Sequence, residues 1–387
     1  MRIHPLAASC LAVLLCAALV SCSRSEETAE NTETPTGAAV NPDPEDADES
    51  SPPPQEPEEE RPYGAPVGWA AEPGTVEAVP GQDGQDGQDG QDADDGEGGG
   101  DGAEAEEAEE TEEGAEGQDA EHPGVTGGAE GETVTATDAD DLAEHLSSDE
   151  PLVVEVEGDI DLDGTIAVGS DKTVLGVGEG AELTNGRLDV DGSTNVIVAN
   201  VGMDVDGTAI AVHGDAHHVW VDGSTFTGEG DAALVMVTDG ADHVTLSWNH
   251  FVEAEAAVTI GSAEDDTGAL RVSVHHNFFD GTTSRHPRAR NAEHVHVFNN
   301  YFRDNPEYGV SSAQGSKVLV EGNYFERTPL SVSSEDDEPG DVVTRDNLLV
   351  DSEQPELRGE VPDPPYAYEL DDTVSVPDLV TARAGAL

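Results

Sequence analysis

Arg285, Arg288 and Arg290 stand within six positions of one another in the stretch SRHPRAR. Cations are otherwise scarce: the 255 residues from Thr133 to Leu387 hold 12 basic side chains against 50 acidic ones. A knot of guanidinium groups inside an acidic protein can hold an anionic ligand locally against the general repulsion. The plain reading is a set of surface arginines on a solvated loop. Upstream, Asp222 in VWVDG reads by itself as a turn aspartate, and Asp231 in GEGDAAL stands among the acidic neighbours Glu229, Glu253 and Glu255. Histidines come in pairs, His217–His218 and His275–His276, with His294 and His296 two positions apart. Neighbours on a strand point to opposite faces and no third ligand follows at a fixed offset, so they do not form a zinc pattern. Trp220, Trp248, Tyr301, Tyr308 and Tyr324 read mainly as packing residues.

These residues must be positioned by a repeat. Aligned on the first valine, the phrases VWVDGSTF (Val219), VTLSWNHF (Val244), VSVHHNFF (Val272), VHVFNNYF (Val295), VLVEGNYF (Val318) and VVTRDNLL (Val342) recur, with a looser copy at Val196. The steps between them are 23, 25, 28, 23, 23 and 24 residues. That period belongs to a solenoid, and the V-x-V alternation to strands with two apolar side chains on one face. Asn249, Asn277, Asn300, Asn323 and Asn347 fall five residues after their valines, and Phe226, Phe251, Phe279, Phe302 and Phe325 follow the same register. Stacked coil on coil, the asparagines form an internal ladder and the phenylalanines a pile beside it. The fold expected is all-β, a right-handed parallel β-helix. TVTATDADDLAEHLSS predicts a strand and a short helix, N-capped by Asp140 or Asp141, that covers the open first coil. The final VPDLVTARAGAL is expected to pack back on the outside.

The chain has 387 residues and a formal net charge of −70. Such a surface excludes nucleic acid as a partner, because phosphate binding needs basic surface. All three cysteines lie in the first 22 residues, which removes disulfides and thiol chemistry from the folded part. Residues 1–21 read as a lipoprotein signal, ending in Leu19-Val20-Ser21 before Cys22, the expected acylation site. The apolar run is too short to span a bilayer. Residues 22–132 read as a disordered acidic tether with a GQDGQDGQDGQD repeat, and 133–387 as the folded domain. An exported, lipid-anchored or secreted monomer is expected.

From Thr133 onward the chain resembles the pectate lyase family of polysaccharide lyases. The likeness is carried by LVVEVEGDI, DKTVLGVG, NVIVANV, DHVTLSWNHF, LRVSVHHNFFDGTTSRHPRAR and YGVSSAQGSKVLVEGNYFE. It implies cleavage of polygalacturonate or a related acidic polysaccharide by β-elimination at the cell surface. It also implies that Arg285 is the catalytic base, that Arg290 binds substrate, and that Asp222 and Asp231 hold calcium. Arg288, between the two arginines, is expected to point elsewhere. Two positions depart from the family pattern: Val235 stands where a third calcium carboxylate is expected, and Ala256 where a lysine is. The alternatives are a calcium-independent enzyme of the pectin lyase kind and a non-catalytic carbohydrate-binding surface lipoprotein.

Overall fold

Each repeat supplies three short strands, and in the computed structural model these stack in parallel into three sheets wound around one core. The structure describes residues 65–73 and 124–387, apart from 266–267 and 335–337. The signal segment, Cys22 and most of the expected tether lie outside the described residues. Sheet A contains Thr194–Ala199, His217–Asp222, Asp242–Ser247, Arg271–His275, His294–Phe298, Lys317–Glu321 and Asp341–Arg345. Sheet B begins with Gly202–Asp204 and Thr225–Thr227, and sheet C with Ile210–His213 and Val235–Val237. The register is regular: Val219 pairs with Val244, Val244 with Val272, Val272 with Val295, and Val295 with Val318. In the first coils two long strands, Leu152–Ala167 and Lys172–Asp191, run around all three sides. The coil sequence V-x-V thus turns the valines inward on every rung, where they are fully buried.

At the corner between sheets A and B the asparagines do what their spacing predicts. Asn249 Nδ2 donates to Asn277 Oδ1, Asn277 to Asn300, Asn300 to Asn323 and Asn323 to Asn347, each at 3.0 Å. Their amides also take backbone groups of neighbouring coils, as in Asn300 Nδ2 to the Val274 carbonyl at 2.8 Å. Inside the corner Phe226, Phe251, Phe279, Phe302 and Phe325 stack at centroid distances of 5.1, 5.1, 5.0 and 4.3 Å.

The first helix, α1 (Ala139–Leu146), covers the open coil with Leu142 and Leu146. Its N-cap is Asp138, whose carboxylate accepts from the Asp141 amide at 2.9 Å, rather than Asp140 or Asp141 themselves. Both of those fall in the first turn, where carboxylates suit the helix dipole. The C-terminal helix, α2 (Val376–Arg383), lies on the outside as expected and buries Val376 and Val380 against Phe278 and Tyr301.

The expected tether differs from the structure in one respect. Residues 65–73 form a strap on the outer face of sheet A, and 124–130 run beside it. Trp69 is 6% exposed; its amide donates to Ser273 Oγ at 2.9 Å and the Ala70 amide to Thr245 Oγ1 at 3.1 Å. Gly68 permits this approach: its φ is 101°, and a Cβ there would sit 2.5 Å from the Ser273 hydroxyl oxygen. Val125 N then donates to Ala70 O at 2.8 Å.

The paired histidines are the fasteners of this outer layer. His218 Nε2 meets Glu72 O at 3.0 Å, His275 Nε2 meets Val67 O at 3.2 Å and His294 Nε2 meets Pro362 O at 2.9 Å. His296 joins Tyr366 and Glu321 at 2.7 and 3.0 Å. Burial lowers the pKa of His275, His276, His294 and His296, and brings His286 down to about 4.

Two outcomes follow. Asn300→Ala strands buried amide partners and should cost about 1–3 kcal/mol in denaturant unfolding; unchanged stability would mean the ladder is not internal. A histidine that stays neutral when folded but takes a proton near its ordinary pKa when unfolded makes stability fall as pH drops. The melting temperature should therefore hold near neutrality and fall steadily from pH 6.5 toward 4. Asp222, whose carboxyl is raised to about 6, acts in the opposite sense but is one group against five. A melting temperature equal at pH 7.5 and 4.5 would contradict the buried neutral histidines.

Candidate functional site

Sheet A is overlaid by the strap and by residues around Pro362–Asp371, and α2 lies on sheet B. Sheet C and the loops that lead into it carry the arginines. The strand Arg288–Arg290 pairs with Val258–Ile260 on one side and Val310–Ala313 on the other. Ala289 is fully buried in the core, so by strand alternation Arg288 and Arg290 both face outward. The expectation that Arg288 points away from Arg290 is thus not met; the two share a face. Arg288 stands in register between Thr259 and Ser311, and Arg290 beside Ala313.

Arg285 lies three residues upstream, in the loop from sheet B. Its backbone is pinned by the Val258 amide, which donates to its carbonyl at 2.7 Å, and it adopts φ 63°. A left-handed arginine is uncommon, and such conformations persist where surrounding structure fixes them. The following residue, His286, does the fixing: it is fully buried, meets the Gly309 carbonyl at 3.0 Å, and packs edge-on against Phe279 and Phe302. The His286–Pro287 peptide is cis. With its neighbour locked inward, the half-exposed Arg285 side chain reaches past the 253–257 loop to the loop two coils before its own, where Nη1 donates to the Asp231 carbonyl at 3.4 Å. Tyr308, on the loop of the following coil, has its phenol pKa raised by burial, with Arg288 and Arg285 opposing the shift. Arg285, Arg288, Tyr308 and Asp231 therefore lie on one side of the solenoid within a span of four coils.

Asp231 is brought to Arg285; Asp222 is not. Asp222 ends a sheet A strand, is 7% exposed, and accepts a hydrogen bond from Ser247 Oγ at 2.5 Å. Its cavity is lined by Trp220, Trp248, Arg383 and Leu387, with no residue of the arginine loop. Asp222 and Asp231, expected together at calcium, are thus placed apart: one sits at the corner of sheets A and B, the other leads into sheet C. Val235 points into the core between Ile210 and Val258 and is 0% exposed, so a side chain there faces no cleft. Ala256 is also buried, at 1%, with its carbonyl accepting the Leu234 amide. Glu229, Glu253 and Glu255 are exposed, but among the described residues no three His, Cys, Asp or Glu side chains gather as a metal site. Calcium favours six to eight oxygens; the side chains around Asp231 do not fit a protein-only cage.

One acidic residue escaped the sequence reading. Asp206 is exposed on the loop of the preceding coil, which runs alongside Glu229–Asp231; a Cβ on Gly230 would lie 3.8 Å from Gly207 N. Its position 25 residues before Asp231 equals the offset of Ile210 from Val235, and that repeat spacing was the available signal.

Three comparisons bear on this arrangement. A family model for pectate lyase matches residues 105–354. The chain belongs to the pectate lyase family. It is 30% identical over 290 residues to a pectate trisaccharide-lyase of Bacillus licheniformis, covering 68% of this chain and 83% of that one. It is 33% identical over 262 residues to a probable pectate lyase A of Aspergillus flavus, covering 63% and 79%. The crystal structure of a Bacillus pectate lyase in complex with trigalacturonate superposes with a TM-score of 0.63 at 26% identity, over 68% of this chain and 96% of that one. The chain is a parallel β-solenoid polysaccharide lyase of this family.

The burial of position 235 gives a test. Val235→Asp places a carboxylate in an apolar core and should destabilise the domain by several kcal/mol, read as a lowered denaturation midpoint with and without calcium. A variant of normal stability that gains calcium binding would mean position 235 reaches the cleft.

Proposed function

We propose that this enzyme cleaves polygalacturonate by β-elimination, with the reaction centred on Arg285. The supporting observation is the grouping of Arg285, Arg288 and Arg290 on one loop and strand of an otherwise acidic domain. In the elimination a base removes the proton at C5 of a uronate. The C5 electron pair forms the C4–C5 double bond, the C4–O bond breaks, and the departing oxygen takes a proton from solvent. Negative charge develops on the uronate carboxylate during the first step, so fixed cations there lower the barrier.

Arg285 takes the base role through its family position, and like Arg288 and Arg290 it is half-exposed on the sheet C side. Guanidinium ordinarily keeps its proton. Arg288 and Arg290, on the strand that follows, add fixed positive charge where the carbanion-like charge of the uronate develops. Arg290 and Arg288 hold uronate carboxylates in the forked, two-point manner that arginine allows. The exposed Asp231 and Asp206 lie toward the preceding coils and repel an ionised uronate there. That favours anchoring of the charged part of the substrate on the arginine side. No step is assigned to calcium, because the donors around Asp231 do not make a cage. Export and anchoring through Cys22 are part of the same proposal and rest on the LVSC motif alone.

The test is absorbance near 235 nm from the unsaturated product, with polygalacturonate in the presence of EGTA. Activity should persist in chelator. Arg285→Ala should reduce kcat by about 10³-fold, comparable to loss of a transition-state donor. Arg288→Ala should mainly raise KM, by roughly tenfold, equivalent to about 1.4 kcal/mol. Activity abolished by EGTA and restored by calcium would overturn the calcium-free site. Absence of product on every uronate polymer, with binding retained, would favour a non-catalytic sugar-binding protein.

A further inference from the structure

The corner between sheets A and B holds a second concavity that the lyase reaction does not use. The strap, the ends of the sheet A strands and the C-terminal tail enclose about 790 Å³ there. That lies within the ordinary size range for small-molecule sites, which are mainly apolar with a few convergent polar groups. Trp220 and Phe298 contribute buried aromatic floor, at 2% and 1% exposure. Tyr368 forms part of one wall and is held by its hydroxyl, which donates to Glu321 at 2.5 Å. Trp248 forms another, sandwiched between the His276 ring at 4.3 Å and the Arg383 guanidinium at 3.9 Å.

Asp222 is the polar centre of this space. Ser247 Oγ donates to one carboxylate oxygen, and Ser247 in turn accepts the Trp220 indole N–H at 2.8 Å. A buried carboxylate has room for about four hydrogen bonds. Burial raises its pKa to about 6, and the charge of Arg383 acts on it without a direct ion pair. Asp222 lines the cavity with capacity beyond the Ser247 bond. An ionised uronate entering here would meet a buried negative charge, and an ammonium group would first meet Arg383 at the wall. A neutral ring with several hydroxyl donors and apolar C–H faces meets neither penalty.

We propose that this cavity binds a neutral sugar ring, its hydroxyl groups donating to Asp222 and its C–H face lying against the Tyr368 wall. The site is distinct from the arginine loop and does not rest on the lyase reading, since its test measures binding rather than cleavage.

The experiment is ligand-observed saturation-transfer NMR on the whole chain with galactose, arabinose and galactobiose, and separately with trigalacturonate. Neutral sugars should give saturable signals in roughly the millimolar range, about −4 kcal/mol. Asp222→Ala should weaken them at least tenfold. Ala382→Trp, on the exposed face of α2 where the solenoid is untouched, should abolish them by filling the space. Melting temperatures confirm that both variants are folded, and the second keeps the test decisive if the first is not. No saturable signal from any neutral sugar, or signals unchanged in Ala382→Trp, would overturn the proposal. So would trigalacturonate as the sole ligand lost in that variant.

Discussion

The structure depends on one constraint: every coil must present the same backbone hydrogen-bonding edge to the next. A parallel solenoid has no other way to satisfy buried amides. The asparagine row enforces it, because each side chain reaches both the next asparagine and main-chain groups of adjacent coils. A slipped coil would lose that whole set and turn inward valines outward. Loops between sheets, by contrast, carry no such requirement and are free to vary in length and chemistry. Arg285 lies on one of them, held in place by the buried His286 beside it.

The two long sides of the solenoid have diverged in use. Sheet A carries hydroxyls and imidazoles on its outer row: Thr173, Thr245, Ser273 and His296 stand in one line across the coils with Ile197 and Trp220. These groups bond the chain's own terminal segments. Sheet C keeps its outer groups half-exposed, among them Met236, Thr259 and Arg288. The scarcity of cations sharpens the contrast. Arg271, Arg303 and Arg327 are each committed to an aspartate, at Asp242, Asp280 and Asp304. Three of the domain's arginines, Arg285, Arg288 and Arg290, are grouped on one strand and the loop before it.

Much of this was legible in the residues. The Val–Asn–Phe phrases gave the solenoid, its ladder and its aromatic pile, and α1 and α2 lie where patterning put them. Some of what was missed was also present. Val235 and Val237 flank Met236 in a strand, so strict alternation already turned position 235 inward. The same rule places Arg288 and Arg290 on a common face around Ala289. Asp222 was different. Its spacing fits a turn aspartate and a ligand equally well, and only the winding of the coil decides which corner it occupies. The strap was hidden because nine residues cannot offset an acidic, proline-rich context in any window average. Its signal was Trp69, the one tryptophan before residue 220, in an apolar island of alanine, valine and glycine.

The hydrogen bond from Val125 to Ala70 brings the two described ends of the chain on either side of residues 74–123 to one place on the outer face of sheet A. Insertions or deletions within that span therefore leave both points of attachment where they are. Changing the number of glycine–glutamine–aspartate triplets should leave the contacts of Trp69 and Val125 with the solenoid intact.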